Sequence, residues 1–173
     1  MADGAAGPES LGAGRTELGQ RLAGFIYGTI ITLAVVVAGA KAYPADAGRI
    51  AALVAVTSVV FWLAHVYAHG LGHSVAHDEH LSLAELRRIA RRQATILEAA
   101  VPPLAALMLG ALGILSTKSA VWTALALGLV VLVLQGLSFA RAERLGWLGA
   151  SAVVAANLGL GTLLVVLKLV VTH

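Results

Sequence analysis

The sequence predicts an all-α polytopic membrane protein with five transmembrane helices, and two observations support this fold class. Of the 173 residues, 59% are hydrophobic and only 12% are charged, whereas soluble domains carry about 25% charged residues. Five stretches each supply about 20 apolar residues, the length that a helix needs to cross a hydrocarbon core of about 30 Å. Because lipid offers no hydrogen bonds to the backbone, each stretch is expected to be helical.

The predicted spans follow a short polar leader. Residues 1 to 20 are rich in Gly and Ala and have no apolar periodicity, so they are predicted to form a disordered cytoplasmic leader. Residues 21 to 173 then form a single transmembrane helical domain. Its spans are predicted to run from Leu22 to Ala40, Ile50 to His69, Ala94 to Leu115, Ala120 to Phe139 and Trp147 to Val171.

The distribution of positive charge predicts the orientation. Arginines concentrate in the leader and in the loops that follow the second and fourth spans, where they are Arg15, Arg21, Arg87, Arg88, Arg91, Arg92, Arg141 and Arg144. The protein is predicted to lie in the inner (plasma) membrane of the cell. Since cytoplasmic loops carry the excess of Lys and Arg, the amino terminus is predicted on the cytoplasmic side and the carboxyl terminus on the outer side. The net charge of +3 comes from these loops, so no nucleic-acid partner is predicted.

The segment between the second and third spans predicts an amphipathic helix on the cytoplasmic side. Ser82 and Glu85 fit a capping box, in which the serine oxygen accepts from a free backbone amide. Apolar residues then recur at helical spacing, and four arginines fall on the other side of the helix. Contact with membrane lipids or with a partner is predicted for Arg87, Arg88, Arg91 and Arg92.

Five of the six histidines lie in HVYAHGLGHSVAHDEH, residues 65 to 80. A spacing of four places His65, His69, His73 and His77 in a slowly turning stripe on a helix. Three interpretations stay open: interfacial histidines without a ligand, proton handling, or a metal site. The candidate ligands of the metal site are His69, His73, His77, His80, Asp78 and Glu79. A divalent metal ion is the only cofactor that these residue types suggest.

The third span contains a carboxylate one turn before two prolines, in ATILEAAVPPLAALMLG. Glu98 would lie just inside the membrane, where a charge is costly and usually faces the bundle interior. Pro102 and Pro103 have no amide hydrogen, so the carbonyls of Glu98 and Ala99 lose their helical partners. These oxygens could bind a cation. The alternatives are a simple kink, or a helix that starts at Pro102.

The polar residues favour one function over two alternatives. Counted at 1.5 Å per residue, Tyr27, His65, Glu98 and Gln135 all fall in the cytoplasmic half of the bundle. They predict a small channel or transporter for protons or cations, in which Glu98 and His65 titrate and His69, Tyr27 and Gln135 surround the path. The alternatives are a membrane-embedded metal-dependent enzyme and a non-catalytic accessory membrane subunit.

Small residues and the short chain predict how the helices associate. Gly24 and Gly28, and Gly159 and Gly161 with Asn157, would let helix backbones approach closely. Five helices enclose little volume, so a homo-oligomer is expected.

Two segments carry a resemblance. RLAGFIYGTIITLAVVVAGA and VVFWLAHVYAHGLGH resemble small integral membrane proteins of high-GC actinobacteria. The resemblance covers most of the chain after the leader, and it implies no particular activity.

Overall fold

The computed structural model describes the backbone of residues 8–77 and 82–171 and the side chains of residues 18–74, 82–163 and 166. Throughout these residues the regular structure is helical, which confirms the predicted all-α class. The helices are α1 (Pro8–Ala42), α2 (Ala47–His77), α3 (Leu83–Arg92), α4 (Thr95–Ala111), α5 (Thr117–Ala142) and α6 (Trp147–Val171).

Three helices are long and apolar enough to cross a bilayer, over Leu18–Ala42, Ala47–Ser74 and Thr117–Ala142. A fourth candidate span is the pair α3 and α4, which is bent by 45°. In α6 the apolar stretch that the structure describes is shorter, Trp147–Leu163. The composition of these helices therefore supports a membrane protein with three to four candidate spans.

The first helix starts earlier than predicted. It begins at Pro8, so residues 8 to 20 are helical where the sequence predicted a disordered leader, and residues 1 to 7 lie outside the described part. Proline is tolerated at the first position of a helix, since its missing amide would have no partner there. The following turns contain Glu, Leu, Arg and Gln, which are strong helix formers, together with three glycines, which are not.

Helix α4 lies at the centre of the packing, in contact with α1, α2 and α5. Gly24 and Gly28 of α1 face it: a Cβ built on Gly24 would lie 2.6 Å from Thr95 Oγ1, and one on Gly28 would lie 2.9 Å from Ile96 Cα. This confirms the predicted close approach at these two glycines. The core extends from here through fully buried apolar side chains that include Leu33, Val36, Ile50, Val54, Leu107, Leu125 and Leu132.

The break in the third predicted span does not occur at the prolines. Helix α4 is continuous from Thr95 through Pro102 and Pro103 to Ala111, so Pro102 is not a helix start. The chain bends instead at Gln93 and Ala94, between α3 and α4. The other end of α4 falls short of the predicted Leu115, because Gly113 adopts a φ of 75° that ends the helix.

Helix α3 forms where the capping box predicted it. Ser82 Oγ accepts from the Glu85 amide at 3.2 Å. The Glu85 carboxylate contacts α2, with Oε1 3.1 Å from His73 Nε2. Trp62 Nε1 donates to the carbonyl oxygen of Ala90 at 3.0 Å, so α3 runs antiparallel to the last turns of α2.

Candidate functional site

A cleft of about 270 Å³ opens at one end of the bundle. This arginine-rich end contains Arg21, helix α3 and the turn between α5 and α6, which carries Arg141 and Arg144. The cleft lies between α1, α2 and the α3–α4 junction, and we call it the histidine cleft. Its lining residues are Gln20, Ala23, Gly24, Tyr27, His65, His69 and Gln93.

Three of these side chains form a row of rings. The Tyr27 and His65 rings have centroids 5.2 Å apart, and the His65 and His69 rings are stacked at 6.3 Å. Since His65 and His69 are one helical turn apart on α2, their spacing of four brings the rings together. Tyr27 joins them because α1 packs against α2. The structure thus brings together three of the five residues predicted for the ion path.

Backbone contacts fix which nitrogen of each imidazole carries hydrogen. His65 Nδ1 lies 2.9 Å from the Phe61 carbonyl oxygen, and His69 Nδ1 lies 2.9 Å from the His65 carbonyl oxygen. A carbonyl oxygen can only accept, so in both rings Nδ1 is the donor. In the neutral imidazole, Nε2 is then the bare nitrogen that can accept a proton or bind a metal.

The other two residues of the predicted ion path lie elsewhere. Glu98 is exposed on α4 and does not line the cleft. Among the side chains that the structure describes, none forms a hydrogen bond or ion pair with its carboxylate. Gln135 is half-buried on α5, also away from the cleft. The predicted pairing of Glu98 with His65 is therefore not formed within one chain.

The orientation of α4 explains the position of Glu98. Its buried face carries mainly small or short side chains, among them Ala99, Pro103 and Ala106. These let α4 approach its neighbours closely, as small residues do in membrane bundles. Glu98 lies off this face and points away from the helices that α4 contacts.

The predicted metal ligands are not assembled in the part of the chain that the structure describes. His69 lines the cleft, whereas His73 pairs with Glu85. The side chain of His77 and all of Asp78, Glu79 and His80 lie outside the described residues. Among the described residues, no group of three or more His, Cys, Asp or Glu could hold a metal ion.

Among the residues that the structure describes, buried side chains fill the bundle between the histidine cleft and the opposite end. Going away from the cleft, the buried hydroxyls of Thr29, Thr32 and Ser58 come first. Beyond them α1 and α2 contribute fully buried apolar side chains, among them Val36 and Ile50. Among the described side chains, this packed apolar layer separates the cleft from the opposite end of the bundle.

Two polar residues of the cleft were not predicted as site residues from the sequence. Gln20 was assigned to the leader, and Gln93 follows the basic helix at a position without a motif. Gln93 caps α3 at its carboxyl end, which places it at the bend beside the cleft. The residue type could have indicated Gln93, because it is a neutral polar residue at the junction of a basic helix and an apolar span.

Comparison of the chain with protein-family models, curated proteins and solved structures finds no match. Function is therefore inferred from the residues of the cleft and their geometry.

Proposed function

We propose that the protein is a small channel or transporter for protons or cations, with the histidine cleft as its binding site. The observation that carries this proposal is the pair of adjacent imidazoles whose Nδ1 atoms each contact a backbone carbonyl oxygen at 2.9 Å. Both rings keep a bare Nε2 in a cleft at the end of an apolar bundle. Tyr27 extends the row with a hydroxyl that can both donate and accept.

The chemistry of the cleft favours a proton over a larger cation. None of its lining residues is acidic, so no carboxylate balances the charge of a metal ion. Imidazole takes up and releases protons near neutral pH without such a partner. The three rings and the amides of Gln20 and Gln93 supply donors and acceptors along which a proton can pass.

Transport through this bundle requires a change of conformation. The buried layer beyond the cleft is closed, so the arrangement corresponds to a closed channel or to a transporter with its site open at one end. Helices that separate by a few ångströms would expose Thr29, Thr32 and Ser58 to the cleft. Such alternation around a fixed site is the usual mechanism of secondary transporters.

The position of Glu98 supports a homo-oligomer. It shares the exposed face of α4 with Val101 and Met108, which are 59% and 49% exposed. A carboxylate that faces lipid within a span is costly. A second copy of the chain packed on this face would remove Glu98 from lipid.

We further propose that α6 is the fifth span and that the arginine-rich end faces the cytoplasm. The 25 residues of α6 include one charged residue, Lys168, and are otherwise mainly apolar, and this length is enough to cross a bilayer. The positions of Arg21, Arg141 and Arg144 and of helix α3 at one end of the bundle agree with the positive-inside rule. The cleft would then open toward the cytoplasm of the cell, in the plasma membrane.

Proton flux into proteoliposomes tests the proposed function. A potassium diffusion potential drives protons inward, and a trapped pH-sensitive dye reports their arrival. We expect the wild-type protein to acidify the lumen and His65→Gln to slow this by about tenfold or more, because a positioned proton-transfer group is removed.

The matched control is His73→Gln, which makes the same chemical change outside the cleft. His73 pairs with Glu85 and does not line the cleft, so this variant should keep most of the flux. Absence of flux in wild-type protein, or equal flux in wild-type protein and His65→Gln, would contradict the proposal.

A further inference from the structure

Helix α3 is attached to the bundle by few contacts. It contains no buried residue. Its polar links to α2 include the hydrogen bond from Trp62 to the Ala90 carbonyl oxygen and the 3.1 Å contact of His73 Nε2 with the Glu85 carboxylate. At its carboxyl end, α3 is connected to α4 through the bend. One side of α3 therefore contacts α2, and the rest of its surface is exposed.

The open surface has two parts of different chemistry. One part is a shallow groove over the small side chain of Ala84, lined by Arg87, Arg88, Arg91 and Arg92. The other part is apolar, with Leu83 and Leu86 exposed by 76% and 39%. At 100° per residue, the centres of the two sets lie about 140° apart around the helix, and Leu83 adjoins Arg87 at the boundary between them.

The charge of the groove is largely uncompensated by described residues. α3 carries four arginines and one glutamate. That glutamate contacts His73 at 3.1 Å and lies 4.0 Å from Arg88 Nη1. Arg87 and Arg91 are one turn apart and exposed, so both guanidinium groups can reach one anion. Guanidinium binds phosphate through paired, charge-assisted hydrogen bonds.

We propose that α3 binds the phosphate groups of anionic phospholipids, in the membrane leaflet at the arginine-rich end. A bilayer surface satisfies both parts of α3 at once, because headgroup phosphates meet the arginines while acyl chains cover Leu83 and Leu86. A soluble acidic partner would neutralise the arginines and leave the leucines in water. The 45° bend turns α3 away from the axis of α4, which leaves the arginine groove clear of α4.

Lipid titration of the purified full-length protein tests this proposal. Native mass spectrometry in a neutral detergent gives the Kd of the first bound phosphatidylglycerol and, separately, of phosphatidylcholine. We expect phosphatidylglycerol to bind more tightly to the wild-type protein. The double variant Arg87→Gln with Arg91→Gln should weaken its binding by about fivefold for each arginine removed, and the phosphatidylcholine Kd should not change.

The control removes the same charge elsewhere at this end of the bundle. Arg141→Gln with Arg144→Gln changes two exposed arginines outside α3 and should leave the preference for phosphatidylglycerol intact. Circular dichroism of both double variants verifies that the helices are retained. The proposal is overturned by equal affinity for the two lipids, by a preference that survives in the α3 variant, or by an equal loss in the control. Binding of RNA through α3 without any lipid preference would also overturn it.

Discussion

The described histidines of α2 differ in what their ring nitrogens contact. Nδ1 of His65 and of His69 lies against the carbonyl oxygen four residues earlier, whereas Nε2 of His73 faces the Glu85 carboxylate. The first arrangement leaves Nε2 available to accept a proton, and the second engages it with a carboxylate. The same residue type in one stripe therefore serves two different purposes, a site in the cleft and the attachment of α3.

At the residue scale, Glu98→Gln distinguishes the histidine cleft from the path that the sequence predicted. Because Glu98 lies outside the cleft, we expect proton flux within about twofold of wild type, since the substitution leaves the proton-transfer groups in place. The proteoliposome assay described above measures it. A loss of flux as large as that of His65→Gln would instead show that Glu98 and His65 act together.

Glu98 also shows why sequence could not place every site residue. In water, an apolar stripe identifies the buried face of a helix, but in lipid both faces of a span are apolar. The rotation of α4 therefore depends on small residues such as Ala99, Pro103 and Ala106. The depth of Glu98 in the membrane was predictable from a count of residues, but the direction of its side chain was not. His65 and His69 were predictable because their spacing of four fixes their relation on any helix.

At the element scale, the contact of α1 with α4 depends on Gly28. A methyl group there would lie 2.9 Å from Ile96 Cα and 3.0 Å from its carbonyl oxygen, and backbone cannot move aside cheaply. We expect Gly28→Ala to lower the free energy of unfolding by about 1 to 3 kcal/mol, the usual cost of overpacking. Denaturant titration in mixed micelles, followed by circular dichroism, measures it.

The matched variant is Gly19→Ala on the same helix. A Cβ at Gly19 meets nothing within 4 Å, so alanine should stabilise the helix by up to about 1 kcal/mol through its higher propensity. If both variants had the same stability, close packing at Gly28 would not matter.

The capped start of α3 was predictable, because Ser82 and Glu85 act within one turn, whereas the bend at Gln93 depends on tertiary contacts.

At the scale of the whole molecule, composition was sufficient to predict the all-α class, since an apolar stretch that crosses lipid has to satisfy its backbone within a helix. Labelling of single cysteines in the loops measures the number of spans and the orientation of the chain in the membrane. The chain has no cysteine, so single cysteines report accessibility without a background. In intact cells we expect a membrane-impermeant maleimide to label Ala45→Cys and His173→Cys but not Gly146→Cys.

This pattern follows from five spans with the arginine-rich end in the cytoplasm. Ala45 precedes α2 at the opposite end of the bundle, and Gly146 precedes α6 at the arginine-rich end. Labelling of Gly146→Cys alone would reverse the orientation. Protection of His173→Cys together with labelling of Ala45→Cys would show that α6 does not cross the membrane.

The central claim is that His65 takes up a proton at Nε2 in the cleft, and nitrogen NMR of histidine-labelled protein in bilayers tests it most directly. The His65 signals are identified as those that vanish in His65→Gln. We predict a hydrogen on Nδ1 and none on Nε2 in alkaline buffer, and hydrogens on both atoms in acidic buffer. A hydrogen on Nε2 with bare Nδ1 in alkaline buffer, or no change between the two buffers, would contradict the account.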